Sequence, residues 1–333
     1  MTYIASDTEA MLEGDDNERA FVETKRQHPL SGFWRTPKSR VGLIIFAAFV
    51  LLAIVGPMVA PFNPNALTDD LLQPPSLKHI FGTTLTGQDV FSQFLVGARS
   101  VMVVGLIAGT VATLLGVIVG INAALFPGFA DEFLSALANV FLVIPALPLI
   151  ILIAGFIPNG GGWITVSLVI SVTGWAWGSR VIRAQTLSLR NRDFVQAARA
   201  TGKSTSSLIV FEIFPNLVPI IAGGFVGTVN FAILSMVSLS FIGIGSSSDW
   251  NWGTILFWAQ GQQALSQGAW WWFVPPGLAI AILGMGLTLI TLGIDEFVNP
   301  KLRAGGLDLK ALKRAKVRSR VGYTAVLPEK GRS

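Results

Sequence analysis

The side chains that most often carry chemistry are scarce in this sequence. It has no cysteine, which removes disulfides, thiolate metal sites and a cysteine nucleophile together. Its two histidines, His28 in a polar N-terminal region and His79 in a loop, are too few for a metal cluster or a buried proton relay, and both read as surface residues. Ser167, Ser171 and Ser238 sit in apolar stretches with no histidine near them, so a serine nucleophile would lack its base, and these hydroxyls read as hydrogen-bonding groups between helices. No phosphate-cradling GxxxxGK(S/T) loop is present, so any nucleotide hydrolysis that drives this protein must occur on another chain.

What the sequence does contain is an ordered polar connection, SLRNRDFVQAARATGKSTSSLIVFEIFPN, from Ser188 to Asn216. Phe194–Ala200 is a helix-forming stretch, and Gly202 can end that helix and turn the chain. An apolar Leu208–Phe211 run and Pro215 then bring it back to the apolar sequence. The pattern predicts a short helix held parallel to a membrane, able to enter a groove on a partner and transmit its movement. The plainer reading is an amphipathic connecting helix. Asp89 and Arg99, just before another apolar run, either hold that segment against a partner or cap and solvate the start of a helix.

The elements that position these residues follow from the solvent. Of 333 residues, 52% are hydrophobic and 13% charged, where a soluble domain carries about a quarter charged. About 20 apolar residues span the hydrocarbon layer, and six stretches qualify: Val41–Val59, Val101–Phe126, Phe133–Ile157, Trp163–Trp177, Leu217–Ile244 and Trp271–Ile294. The fourth is short and continues as helix beyond the bilayer through Gly178–Leu189. None contains Lys, Arg, Asp or Glu, which argues against a proton pump or voltage sensor. The expected fold is all-α and polytopic, with six transmembrane helices.

Charge gives the orientation. The formal charge of +5 comes from basic residues beside apolar runs, not from a basic, aromatic-studded nucleic-acid surface. Of 24 Lys and Arg, 22 fall in the N-terminal segment, the Gly178–Pro215 connection and the C-terminal tail, leaving only Lys78 and Arg99 on the opposite side. Both termini are therefore expected in the cytoplasm. The polar start, acidic from Asp7 to Glu23, lacks the order of a cleavable signal peptide, so the first apolar run reads as an uncleaved anchor. The external connections are a long segment from Ala60 to Ser100, a tight Pro158–Gly162 turn and a Trp-rich stretch from Gly245 to Trp270. There Trp250, Trp252, Trp258, Trp270, Trp271 and Trp272 suit the headgroup belt or stacking on a passing ligand. Gly105, Gly109, Gly116, Gly120, Gly223, Gly224 and Gly227 predict close helix contacts in the second and fifth spans. The basic run Lys310–Arg320 reads as a solvated tail, or as one attracted to anionic lipid or a partner ATPase.

QAARATG (Gln196–Gly202) followed by IFPN (Ile213–Asn216) resembles the EAA coupling loop of bacterial ABC importer permeases. Ala197, Ala198, Gly202 and Pro215 match, while Gln196 replaces the Glu of the triplet and Phe214 a Leu. FGTTLTGQDVFSQFLVGARS (Phe81–Ser100) is similar to the segment before the second span in C-type dipeptide and oligopeptide permeases. Thr84 stands there for their Asp, and Gln88 and Gln93 for their Arg. LSFIGIG (Leu239–Gly245), Trp252-Gly253, PPGLAI (Pro275–Ile280) and NPKLR (Asn299–Arg303) extend the resemblance over roughly residues 30 to 305.

The resemblance implies a five-helix import core preceded by one N-terminal helix. It divides the chain into a cytoplasmic segment 1–40, a first helix and external segment 41–100, a transmembrane domain 101–295 with coupling loop 188–216, and a tail 296–333. It also implies partners: a homologous second permease, two ATPase subunits that carry ATP and Mg, and an extracytoplasmic substrate-binding protein. This chain would then be no enzyme and hold no cofactor, with Gln196, Ala197, Ala198, Gly202 and Pro215 serving ATPase coupling. The implied cargo is di- or oligopeptides, with oligosaccharides or nickel as alternatives, and the neutral Gln88 and Gln93 beside the external Trp residues would suit sugar contact. A secondary transporter would need an intramembrane coupling-ion site and an inverted repeat, and neither is evident.

Overall fold

The computed structural model describes residues 36–156, 162–245 and 249–298. Most of the N-terminal segment, nearly all of the Pro158–Gly162 turn, NPKLR and the basic tail lie outside the described residues. Every regular element among the described residues is helical: α1 Pro37–Val59, α2 Val90–Leu125, α3 Phe129–Val143, α4 Ala146–Gly155, α5 Gly162–Arg190, α6 Asp193–Ala200, α7 Thr205–Leu208, a π-helical turn Ile209–Ile213, α8 Phe214–Phe241, α9 Trp252–Gly261 and α10 Trp270–Val298.

Four stretches are long and apolar enough to cross a membrane: Pro37–Val59, Val90–Leu125, Thr205–Phe241 and Trp270–Glu296. The other two expected spans take a different form. The third is split into α3 and α4, bent by 89°. Its cause is the sequence IPALP: a continuous helix would pair the carbonyls of Phe141 and Ile144 with the N–H groups of residues 145 and 148, and both are proline. The fourth is the first half of α5, which is free of charge but so rich in Trp, Ser, Thr and Gly that it does not qualify by composition, and its second half carries Arg180, Arg183 and Arg190.

The second span starts well before Val101. Asp89 caps α2 by accepting a hydrogen bond from the Ser92 N–H, and the helix runs 36 residues, about 54 Å at 1.5 Å per residue, so its first turns stand outside a 30 Å hydrocarbon layer. It forms the axis of the bundle, flanked by α5, α8 and α1. Small residues set these distances. A Cβ on Gly120 would stand 2.5 Å from the Ser179 carbonyl oxygen, and one on Gly116 3.1 Å from that of Trp175, so α2 and α5 touch backbone to backbone. Gly105 lies as close to the Ile233 side chain of α8. Gly224 and Gly227, by contrast, meet nothing within 4 Å and make no such contact. The serines also depart from expectation. Ser167 and Ser171 donate to carbonyls of their own helix at 2.7 Å, and only a 3.5 Å approach of Ser171 to Ala108 O reaches another.

The bundle has two ends. At the cap end, residues 60–89 and α9 lie over the helices. Trp250, Trp252, Trp271 and Trp272 are buried there and not set out in a lipid-facing belt; of the six only Trp270 is strongly exposed. Trp252 packs on Phe49 and Phe94 and donates to Phe94 O, Trp271 donates to Thr83 O, and Trp250 donates to Asn65 Oδ1. Indoles are suited to this because one ring supplies both apolar area and a single donor. At the opposite, loop end, α6 lies under the ends of α2, α5 and α8.

Candidate functional site

The loop-end site is built on one buried side chain. Val195, fully buried, packs with Ile121 of α2, Ile182 of α5, Ile213 of the π turn and Leu217 of α8, so α6 is seated on three long helices at once. Its opposite face is open: Gln196 and Ala197 are exposed, and Ala198 is half-buried. The helix stops at Gly202, whose φ of +82° is a left-handed conformation that any Cβ would disfavour. Lys203 and Glu212 then form an ion pair of 2.6 Å across the return strand of the loop. Pro215 sits in the first turn of α8, directly after the π-helical turn, and is exposed.

Gln196 makes a contact that a Glu could not. Its Nε2 donates to the carbonyl oxygen of Arg190 at 3.1 Å, tying α6 to the end of α5. Arg190 in turn donates to Ala124 O at 2.9 Å, satisfying a carbonyl in the last turn of α2. Two helical turns above, the Arg183 guanidinium makes two bonds of 2.7 Å to the Asp131 carboxylate, which joins α5 to the first turn of α3. The exposed face of α6 is therefore backed by polar and apolar connections to α2, α3, α5 and α8. Val195, Arg183 and Arg190 were not singled out in the sequence. Phe194 and Val195 are the two large apolar residues of a polar helix, a readable signal that one of them is buried but not which.

At the cap end, His79 is not a surface histidine. It is 3% exposed, stacks on Phe62, and places Nδ1 2.8 Å from Asp89 Oδ1. Asp89 Oδ2 accepts from both the N–H and the hydroxyl of Ser92 at 2.7 Å, so one carboxylate caps α2 and fastens the loop to it. His79 Nε2 stands 3.5 Å from Asp70 Oδ2, near enough for charge but without a hydrogen bond. Lys78, by hydrogen bond and charge, holds the Asp70 carboxyl below its usual range, and His79 adds to this more weakly. Arg99 is exposed on α2 and is not part of this cluster. The structure thus separates two residues that the sequence placed side by side. Gln93 is fully buried and donates to Gln88 Oε1 at 3.0 Å and to Pro64 O. With these two paired inside the cap and four of the Trp residues buried, the reasons for expecting sugar contact are gone.

Known proteins match this arrangement over most of its length. The family model described as "Binding-protein-dependent transport system inner membrane component" matches residues 112–304, and "N-terminal TM domain of oligopeptide transport permease C" matches residues 32–75. The oligopeptide transport system permease protein OppC of Bacillus subtilis is 34% identical over 79% of this chain and 85% of its own length. A putative peptide transport system permease protein of Brucella suis is 32% identical over 92% of this chain and 100% of its own. The dipeptide transport system permease protein DppC of Bacillus subtilis is 31% identical over 81% and 85%. A solved structure of the MetNI methionine ABC transporter in inward facing conformations aligns with 61% of this chain and 93% of its own at 17% identity and TM-score 0.49, too distant a likeness to add to the assignment. By its sequence, the chain belongs to the binding-protein-dependent transport system inner membrane components, the permease subunits of ABC importers.

Proposed function

We propose that this chain is one permease half of an ATP-driven importer of di- and oligopeptides. The observation that carries the reading is α6: a short helix with Gln196 and Ala197 open to a partner, anchored through Val195 to three membrane helices. The peptide cargo is supported by the relatives, whose names are those of peptide, oligopeptide and dipeptide permeases.

In this reading a homologous second permease completes the path, an external binding protein delivers the peptide, and two ATPase subunits supply the energy with ATP and Mg. The chain itself catalyses nothing. Both termini and α6 face the cytoplasm, because that side holds 22 of the 24 Lys and Arg. Closure of the ATPase dimer carries α6 with it. Ala197, Ala198 and Gly202 allow close docking, Gln196 holds α6 to α5, and Pro215 marks where the motion enters α8. Nucleotide can favour one state of the bundle only if it binds the ATPases more tightly in that state.

The test is purification of the chain from mild detergent with whatever subunits accompany it, followed by reconstitution and ATP-dependent uptake of labelled peptides. Recovery with a second permease and ATPases, and uptake that stops without ATP, is the expected result. A stable chain recovered alone, or uptake indifferent to ATP, would sink the reading.

A further inference from the structure

The break between α3 and α4 is the least expected feature of the bundle. It lies within one apolar segment, where a continuous helix would leave no backbone group unpaired. The prolines at 145 and 148 remove the helical donors for the Phe141 and Ile144 carbonyls, and the 89° bend carries the chain away from the others of that turn. In hydrocarbon each unpaired carbonyl would cost several kcal/mol, so broken backbone at this depth is tolerated where it is covered by protein or lines a water-filled cavity. Here a cleft of about 490 Å³ opens beside the break, and both Phe141 and Ile144 are on its wall.

The far wall comes from Thr173 and Trp177, near the middle of α5, and from Thr228 and Phe231, near the middle of α8. The cleft is thus at mid-height in the bundle. Of the α8 glycines that meet no neighbour, Gly227 lines this cleft and Gly224 a smaller cavity of about 30 Å³ that shares Gly174, Trp177 and Thr228 with it. In that smaller cavity the Thr113 hydroxyl is buried without a hydrogen-bond partner. Room for about one water and an orphaned hydroxyl together point to water, because a dry threonine in a helix would bond to its own backbone.

We infer that this cleft is a stretch of the substrate path, filled with water in the assembled importer, and that this chain contributes its wall through Thr173, Trp177, Thr228, Phe231 and the carbonyls at the break. The inference rests on the importer reading for its cargo but not for its wetness. Among the described residues no charged side chain lines the cleft. Hydroxyls and free carbonyls can pair with the backbone amides that every peptide carries, and the rings of Trp177 and Phe231 give apolar contact without an ion pair to hold the cargo. Such a wall passes peptides of varied sequence, because a conduit must bind weakly enough to release.

The natural absence of cysteine makes the test direct. Single variants Thr228→Cys and Gly227→Cys are expressed with the partner subunits in the native membrane and exposed to a charged, membrane-impermeant thiol reagent. Leu51→Cys and Met285→Cys, on the exposed apolar faces of α1 and α10, report the lipid background. Labelling of both cleft variants at least ten times faster than the lipid-facing pair, with loss of ATP-driven peptide uptake after modification, is the expected result. Labelling no faster than the lipid-facing pair would overturn the inference, and so would fast labelling that leaves uptake intact. A parent protein that imports no peptide at all would instead overturn the cargo reading, with the labelling rates still deciding whether the cleft is wet.

Discussion

Gln196 is one of two positions, with Phe214, at which this chain departs from the EAA pattern it resembles, and the structure gives this departure a physical consequence. A glutamate there would have no N–H to offer the Arg190 carbonyl, and its charge would face the end of α5, where the partial negative charge of the helix collects. An exposed hydrogen bond of this kind contributes about 1 kcal/mol, equivalent to about a five-fold change in an opening equilibrium. Gln196→Glu is therefore expected to raise hydrogen exchange at the amides of 193–200 about five-fold, with the exchange of α2 and α8 unchanged. Equal exchange in the two proteins would mean that the bond is idle. The substitution itself was plain in the sequence, but its partner was not. Arg190 contributes a backbone oxygen, which has no residue-specific signal, and its position follows only from how α6 folds under α5. The cap end illustrates the same limit. His79 and Asp89 are ten residues apart and separated by glycines, so nothing in their spacing announces a buried pair.

At the scale of elements, the sequence was most informative where one physical rule acts alone. Spans with no proline inside the stretch, or with proline only near an end, formed continuous helices at α1, α8 and α10. The split in the third span was missed because apolar content was weighed without asking which carbonyls lose a donor at Pro145 and Pro148, whereas the continuation of the fourth as helix past Trp177 was expected and is seen in α5. Glycine shows the same mixture. Gly116 and Gly120 do allow α2 and α5 to meet, while Gly224 and Gly227 line open cavities, and composition cannot tell the two uses apart. The contrast is testable. A side chain on Gly120 would strike the Ser179 carbonyl, a rigid backbone atom at 2.5 Å, so Gly120→Leu should force the helices apart at a cost of about 3 kcal/mol or more. The expected outcome is aggregated protein in detergent size-exclusion chromatography, whereas Gly224→Ala, with nothing within 4 Å, keeps the wild-type profile. A monodisperse Gly120→Leu protein would contradict the backbone contact on which the bundle is centred.

For the whole molecule, parity and charge narrow the number of crossings. If α3 with α4 crossed the bilayer and α5 did not, five crossings would place the two termini on opposite sides. That would set the ten basic residues of the C-terminal tail across the membrane from the six of the N-terminal segment, against the bias that normally fixes topology. Four crossings, with α3, α4 and α5 failing to span, and six, with all three taking part, both keep the termini together. The two cases differ in where the connection between α4 and α5 emerges. The packing of α5 along α2 favours six: the helices touch backbone to backbone at Gly116 and Gly120, and α2 itself spans, so α5 follows it through the bilayer despite its modest apolar content. In this arrangement α5 crosses because α2 covers its polar hydroxyls, not because it is apolar enough alone. A single Asn159→Cys in the cysteine-free chain should then react with an impermeant maleimide added to intact cells, while Lys203→Cys, beyond α6, reacts only after the membrane is opened. Protection of position 159 in intact cells with labelling after opening would establish four crossings and would move α3, α4 and α5 together onto the side of α6.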